Sequence, residues 1–383
     1  MTPPPHATPI SRNRPRLSPR GWLTAWVGLL VVLFLVPALV IAWEQRQSRL
    51  FERLAWEATL DPESPDPGMA PPEVVDTGRA RRVTIGFYLE TMEEVSLHDS
   101  LWEGVIDVWC RWQDDPAAPG GDDFNPFDHL IAVNGTITDR KILREIHDGG
   151  EHFVLQRLSL TYTKIFRIVN FPLDRHLLLA SFENSAHPRQ DLVFIPDGEA
   201  SAVSARVSMT GYRILRSHAV EMAHSYQTSR GVPGAAPEQR GTWSQPRFAI
   251  VIDRRGWGLI MKMFQALLVS VAVALLACFI KPTHVDPRFG LGIGALFASV
   301  ANSYVVGTHV PEGSEFSLAD AINLLGIGTI LVSLTQSTIS LWIYESLGDQ
   351  RLSRRFDRVS FWTILAVFLG SLALFLVGAV ART

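Results

Sequence analysis

The stretch RFAIVIDRRGWGLIMKMFQALLVSVAVALL, Arg247 to Leu276, changes period in the middle. Up to Asp253 it alternates, with Phe248, Ile250 and Ile252 on one side, as a half-buried strand does. From Gly256 to Ile280 it is apolar for longer than the 20 residues a helix needs to cross a bilayer. Only Arg254 and Arg255 stand between the two patterns. A strand that runs straight into a membrane helix implies a β domain built directly on a membrane domain.

The rest of the chain agrees. Its 383 residues are 47% hydrophobic and its mean hydropathy is positive, too apolar for an ordinary soluble protein and too long for a single anchor. A net charge of -3 supplies no field for nucleic acid, and no such partner is expected. Spanning length is reached at Gly21 to Trp43, Gly256 to Ile280, Phe289 to Val310, Leu318 to Leu347 with interruptions, and Phe361 to Val380. The first of these reads as a signal anchor or a signal peptide; its apolar run exceeds the usual signal core, while Val40 and Ala42 would tolerate cleavage. Arg12, Arg14, Arg16 and Arg20, then Lys281 and Arg288, then Arg351, Arg354, Arg355 and Arg358 mark cytoplasmic segments. THVPEGSEFSLAD, Thr308 to Asp320, has no Lys or Arg and carries Glu312, Glu315 and Asp320, which puts it outside with the β domain.

Five segments follow. Residues 1–20 are Pro-rich and basic and are expected to be disordered; 21–43 form the hydrophobic helix. Residues 44–80 are a linker, with helical spacing in EQRQSRLFERLAWEATL and then a proline-rich part. Residues 81–254 alternate, with Val83, Ile85, Phe87 and Leu89 on one side, and Ile106, Val108, Cys110 and Trp112 likewise, which predicts an antiparallel β-sandwich of roughly 170 residues. Residues 255–383 hold the remaining helices. The fold class is thus a membrane protein with an all-β external sandwich followed by an all-α four-helix transmembrane domain, plus an extra N-terminal hydrophobic helix.

Several constellations favour plain readings. EIHDGGEH gathers His147, Asp148, Glu151 and His152, but Gly149 and Gly150 favour a hairpin turn over a metal site. Asp114, Asp115, Asp122, Asp123 and Asp128 read as a solvated acidic loop rather than a Ca²⁺ site. Cys110 and Cys278 fall in a strand and a membrane helix, poor candidates to pair. No Ser/His/Asp set or paired carboxylate stands out, so neither catalysis nor a cofactor or resident metal is expected.

IFRIVNFPLDRHLLLASFEN, Ile165 to Asn184, sets Phe171, Pro172, Leu173 and Asp174 between two strand-like runs, a Pro-led turn that presents Asp174 at one end of the sandwich. Joined to WQDD at Trp112 to Asp115, to RFAIVIDR entering a membrane helix, and to a second membrane helix ending in HVPEG, this ordered set resembles the pentameric ligand-gated ion channels, the Cys-loop receptor superfamily. It looks more like the bacterial members than the animal ones, over about Arg81 to Val380.

The resemblance implies a homopentamer in a bacterial inner (plasma) membrane, multi-pass, with the sandwich in the periplasm. An unidentified small molecule would bind between subunits and open a pore for inorganic ions. The disulfide of the animal receptors would join the positions of Thr163 and Leu177 and is absent; the first channel helix also lacks the proline often found there. Ligand positions carry over to Asp107, Trp109, Val133, Glu183, Asn184, Tyr212, Tyr226 and Trp243, and because Val133 and Asn184 replace rings, an amine agonist is not supported. Coupling positions fall on Asp174, Arg254 and Pro311.

On the second channel helix Gly290, Gly294, Phe297, Ala301 and Tyr304 fall within about 80° of arc and match the family's pore-lining register. A small-xxx-small helix contact would explain Gly290 and Gly294 but not the two rings. Asp286 and Arg288 sit at the inner mouth with opposite charges; the reading leans to cations. The alternative is a non-conducting membrane receptor or scaffold that keeps the channel fold.

Overall fold

Alternation becomes burial in the computed structural model, which describes residues 19–64, 72–115, 123–231, 241–310 and 315–380. Residues 1–18, the acidic-loop stretch holding Asp122, and Pro311 lie outside these. The chain divides into two compact units. One comprises the N-terminal helix as far as Ile41, with Ala266–Ala301 and Ile322–Leu376; the other comprises Ala42–Gln265, Asn302–Ala321 and the chain from Val377.

In the second unit ten strands form two sheets: β1 (Arg81–Ser96), β2 (Leu101–Gln113), β3 (Leu130–Ala132), β4 (Gly135–Asp148), β5 (Glu151–Thr163), β6 (Arg175–Asn184), β7 (Leu192–Pro196), β8 (Ala202–Val203), β9 (Tyr212–Ser225) and β10 (Thr242–Arg254). One sheet has the order β4-β5-β2-β1-β7 with β8 also beside β1, the other β3-β6-β10-β9. Val83, Ile85, Phe87 and Leu89 of β1, and Ile106, Val108 and Cys110 of β2, are fully buried. The Phe87 ring stacks on Phe182 of β6 at 5.6 Å and on Phe248 of β10 at 5.5 Å, so the two sheets share one core. Each such buried side chain contributes about 1.5–3 kcal/mol.

Two expectations need correction. The sandwich is not wholly antiparallel, because β7 and β8 pair parallel with β1. A parallel pair cannot be joined by a hairpin, and the chain reaches that edge after passing through β6 in the other sheet. Nor do residues 44–80 begin as a linker. Helix α1 runs unbroken over Pro19–Leu60, about 63 Å at 1.5 Å per residue, roughly twice a bilayer's apolar core. Its Trp56 and Leu60, one turn apart, pack on Leu177, Ala249 and Val251, the outward faces of β6 and β10. That cover explains why β10 is buried on both faces instead of alternating.

The remaining helices are α2 (Gly256–Leu276), α3 (Val285–Gly307), α4 (Leu318–Ser346) and α5 (Gln350–Val380). Among the described residues five helices are long and apolar enough to cross a membrane, which marks the chain as membrane-embedded. The arginine-rich segment before the last apolar run forms the opening of α5, where Asp349 Oδ1 accepts from the amides of Arg351 and Leu352 at 3.0 and 2.9 Å. Within the first unit the helices meet through small residues. A Cβ on Gly326 of α4 would strike Leu267 of α2, Ser333 Oγ donates to the Ala274 carbonyl at 2.9 Å, and Ser340 and Ser353 share a hydrogen bond. Cys110 and Cys278 are both free and buried.

Candidate functional site

Helix α3 has one packed face and one open face. Gly292, Ala295, Ser299, Asn302 and Val306 are buried, and a Cβ on Gly292 would meet Leu334 of α4. Gly290, Gly294, Phe297, Ala301 and Tyr304 all lie on the exposed side; Phe297 is 72% exposed and Tyr304 81%. A Cβ on Gly290 or Gly294 would touch nothing within 4 Å, so within one chain these glycines are not helix contacts. Ile293 and Val300 beside the stripe are also exposed.

The two charges expected at the mouth part company. Asp286 is exposed in the first turn of α3, where a negative charge suits the helix dipole. Arg288 is wholly buried, which corrects the expectation that it shares the mouth. Its guanidinium donates to Asp357 Oδ1 of α5 at 2.7 Å and to the Ile280 carbonyl at 3.1 Å. Gln336 Nε2 donates to the same Asp357 oxygen at 2.6 Å, and Cys278 Sγ to Gln336 Oε1 at 3.4 Å. A buried charge demands this partnership, and Asp357 and Gln336 gave no sign in their local sequence because their partners lie far along the chain.

Asp174, in the turn that holds a cis Phe171–Pro172 bond, is almost wholly buried. Arg254 Nε donates to its Oδ1 at 2.7 Å and Nη2 to its Oδ2 at 3.2 Å, while His176 Nε2 contacts Oδ2. The guanidinium lies over the Phe171 ring at 5.0 Å and the Tyr212 ring at 4.3 Å, and also bonds the Tyr212 hydroxyl. Burial alone would raise the Asp174 pKa; the hydrogen bonds and charges of His176 and Arg254 overcome it and hold the carboxyl well below the usual range. The same turn is tied to α4, since the amides of Leu318 and Ala319 donate to the carbonyls of Val169 and Phe171 at 2.8 and 3.2 Å. Ser317 caps that helix by exchanging hydrogen bonds with Asp320.

Of the eight expected ligand residues, three come together. Tyr226 donates to Glu183 Oε1 at 2.8 Å and meets Trp243 edge-on at 5.1 Å, with His224 on it at 4.8 Å. Arg230 lies over the Tyr226 ring at 4.2 Å and 4.0 Å from Glu183. Glu183 is fully buried and its second oxygen has no hydrogen bond of good geometry; burial raises its pKa against the opposing pull of Tyr226, Arg230 and Gln245. Removing the hydroxyl with Tyr226→Phe should therefore cost about 1–3 kcal/mol, most of it regained in the Tyr226→Phe/Glu183→Gln double variant, as read by thermal unfolding of the full chain in detergent. Equal costs in single and double variants would mean the carboxylate does not depend on Tyr226.

The other five have other partners. Tyr212 belongs to the Asp174 cluster, at the far end of β9, roughly 40 Å of strand from Ser225. Asp107 is held by Arg157 of β5 through bonds of 2.7 and 2.9 Å, and Trp109 covers Gly86, where a Cβ would enter the indole. Both lie on β2, in the other sheet from Glu183. Asn184 shapes a turn, its Oδ1 accepting from the amides of Ala186 and His187, and Val133 contributes its backbone amide to Ser181.

EIHDGGEH forms the β4–β5 hairpin with Gly149 and Gly150 at φ +59° and +85°. His147 and His152 face each other there through Nδ1, with outer nitrogens on Glu145 and Asp114. Among the described residues no group of three or more His, Cys, Asp or Glu is arranged to hold a metal. No family model matches the chain, and no curated protein matches it in sequence.

Proposed function

We propose that the chain is a subunit of a homopentameric ligand-gated ion channel. The observation that carries this reading is the open face of α3, where two glycines, an alanine and two aromatic rings lie unpacked along a helix whose opposite face is buried. A face turned to lipid would favour Leu and Val at the positions of Gly290 and Gly294, because glycine weakens the helix by about 1 kcal/mol and offers no apolar surface. Facing copies of itself across a narrow path, the same stripe leaves room for ions between the ring levels. The sandwich receives a small molecule near Glu183, Tyr226 and Trp243, and the Asp174–Arg254 cluster passes movement to α2 and α4. Basic segments on one side and the acidic Glu315 and Asp320 on the other orient the β domain outward, in the periplasm of a bacterial inner membrane.

Native mass spectrometry in mild detergent should give a pentamer, and the purified protein in planar bilayers should give discrete single-channel currents. A monomer or dimer removes this reading, and a pentamer without currents under any ligand supports a non-conducting receptor instead. With Arg288 buried, Asp286 is left as the charge at the inner mouth, so cations should be favoured. Asp286→Asn should lower the cation-to-chloride permeability ratio at least about twofold, read from reversal potentials in asymmetric salt. An unchanged ratio would place the selectivity determinant elsewhere.

A further inference from the structure

Where β10 passes into α2, a cavity of about 400 Å³ is lined by Arg49, Arg175, Arg213, Arg254 and Arg255, with Asp253, Trp257 and Val380. Five guanidinium groups here answer to three carboxylates, Asp253, Asp174 and, beside Arg49, Glu52. Arg175 and Arg213 share Asp253 at 2.9 and 2.6 Å, and Arg254 takes Asp174 behind the wall at 2.7 Å. Arg49 donates one Nη2 bond to the Leu173 carbonyl at 2.8 Å, but its Nε is buried with no partner. Arg255 is exposed and its side chain makes no hydrogen bond or ion pair among the described residues. Such a cluster suits an anion with several acceptor oxygens, the chemistry guanidinium groups bind best.

Its surroundings identify the source. Trp257, 57% exposed, stands in the first turn of apolar α2, Met261 one turn on is 55% exposed, and Val380 ends apolar α5. A tryptophan at that level marks the membrane interface, where phospholipid phosphates lie. Gly258 adds an open wall, since a Cβ there would meet nothing within 4 Å.

We propose that this cavity binds the phosphodiester headgroup of an anionic phospholipid, with its acyl chains along α2 beside Trp257. Arg255 and Arg213 would hold the phosphate from the open side and Arg49 from the buried side. The site does not depend on whether the protein conducts.

The full chain, purified in detergent and given equal phosphatidylglycerol and phosphatidylcholine, should keep phosphatidylglycerol preferentially in native mass spectrometry. The preference should fall roughly fivefold for each arginine lost in Arg255→Gln and in Arg213→Gln/Arg255→Gln, and persist in Arg144→Gln on the distant edge strand β4. Arg255→Gln breaks no internal bond, so an unchanged unfolding temperature separates lost binding from lost folding. Equal retention of the two lipids by the parent, or an undiminished preference in Arg255→Gln and the double variant, overturns the proposal. Millimolar inorganic phosphate should neither displace the lipid nor match its stabilisation; if it does both, the site binds free phosphate and the lipid assignment fails.

Discussion

If the proposed channel forms, Phe297→Ser should conduct without ligand. In the pentamer proposed above, five phenyl rings at one level of a narrow pore would make a dry constriction in which an ion cannot replace its hydration shell, and the small residues one turn to either side, Gly294 and Ala301, would supply no second apolar barrier. The resting current of the variant in bilayers should exceed the parent's by at least about tenfold, because a hydroxyl both shortens the side chain and wets the level. Tyr304, at the outer level, carries its own hydroxyl and should matter less. Gly292→Leu is the matched control: it enlarges the packed face against Leu334, so it should lower the yield of assembled protein without opening the pore. A Phe297→Ser variant that stays closed at rest, while the parent opens with ligand, would mean that α3 turns another face to the ion path.

Asp174→Asn or Arg254→Gln should uncouple binding from opening and also weaken the fold. With only 12% of Arg254 exposed and Asp174 at 2%, removing either partner strips the other buried charge of its ion pair, at a cost of up to about 3–5 kcal/mol, smaller in Arg254→Gln because His176 still contacts Asp174. By contrast the exposed Arg167–Glu315 pair, at 3.4 Å, should contribute almost nothing. Acid titration separates the two partners. A carboxyl whose folded pKa is depressed gives stability that is complete above the ordinary aspartate value near pH 4 and is lost as pH falls below it towards the folded value. Thermal unfolding of the parent should therefore decline below about pH 4, whereas in Asp174→Asn this contribution is already gone and the decline is shallower. Equal acid sensitivity in parent and variant, or an unaltered dose-response, would reduce the cluster to packing.

The strands were legible because each buries one face, and a period of two survives in Val83 to Leu89 whatever lies beyond. The stripe on α3 was legible for the same reason, since helical geometry alone puts Gly290 and Tyr304 on one side. Arg288 was not. Its position on the helix was correct, but whether a long side chain turns to water or to Asp357 depends on a residue 69 positions away, which no local pattern carries. Tyr212 lies apart from Tyr226 because β9 is one continuous strand over Tyr212–Ser225, which sets the two tyrosines at opposite ends. Parallel pairing of β7 with β1 was hidden in the same way, since it follows from chain routing rather than from the five residues of β7.

The tail of α1 on β6 and β10 changes where the β domain starts. A soluble fragment cut at Arg81, the point at which strand periodicity begins, would leave Leu177, Ala249 and Val251 bare to water and invite aggregation. The compact unit that holds the sandwich begins at Ala42, so the last turns of what begins as an apolar helix belong with the strands they cover.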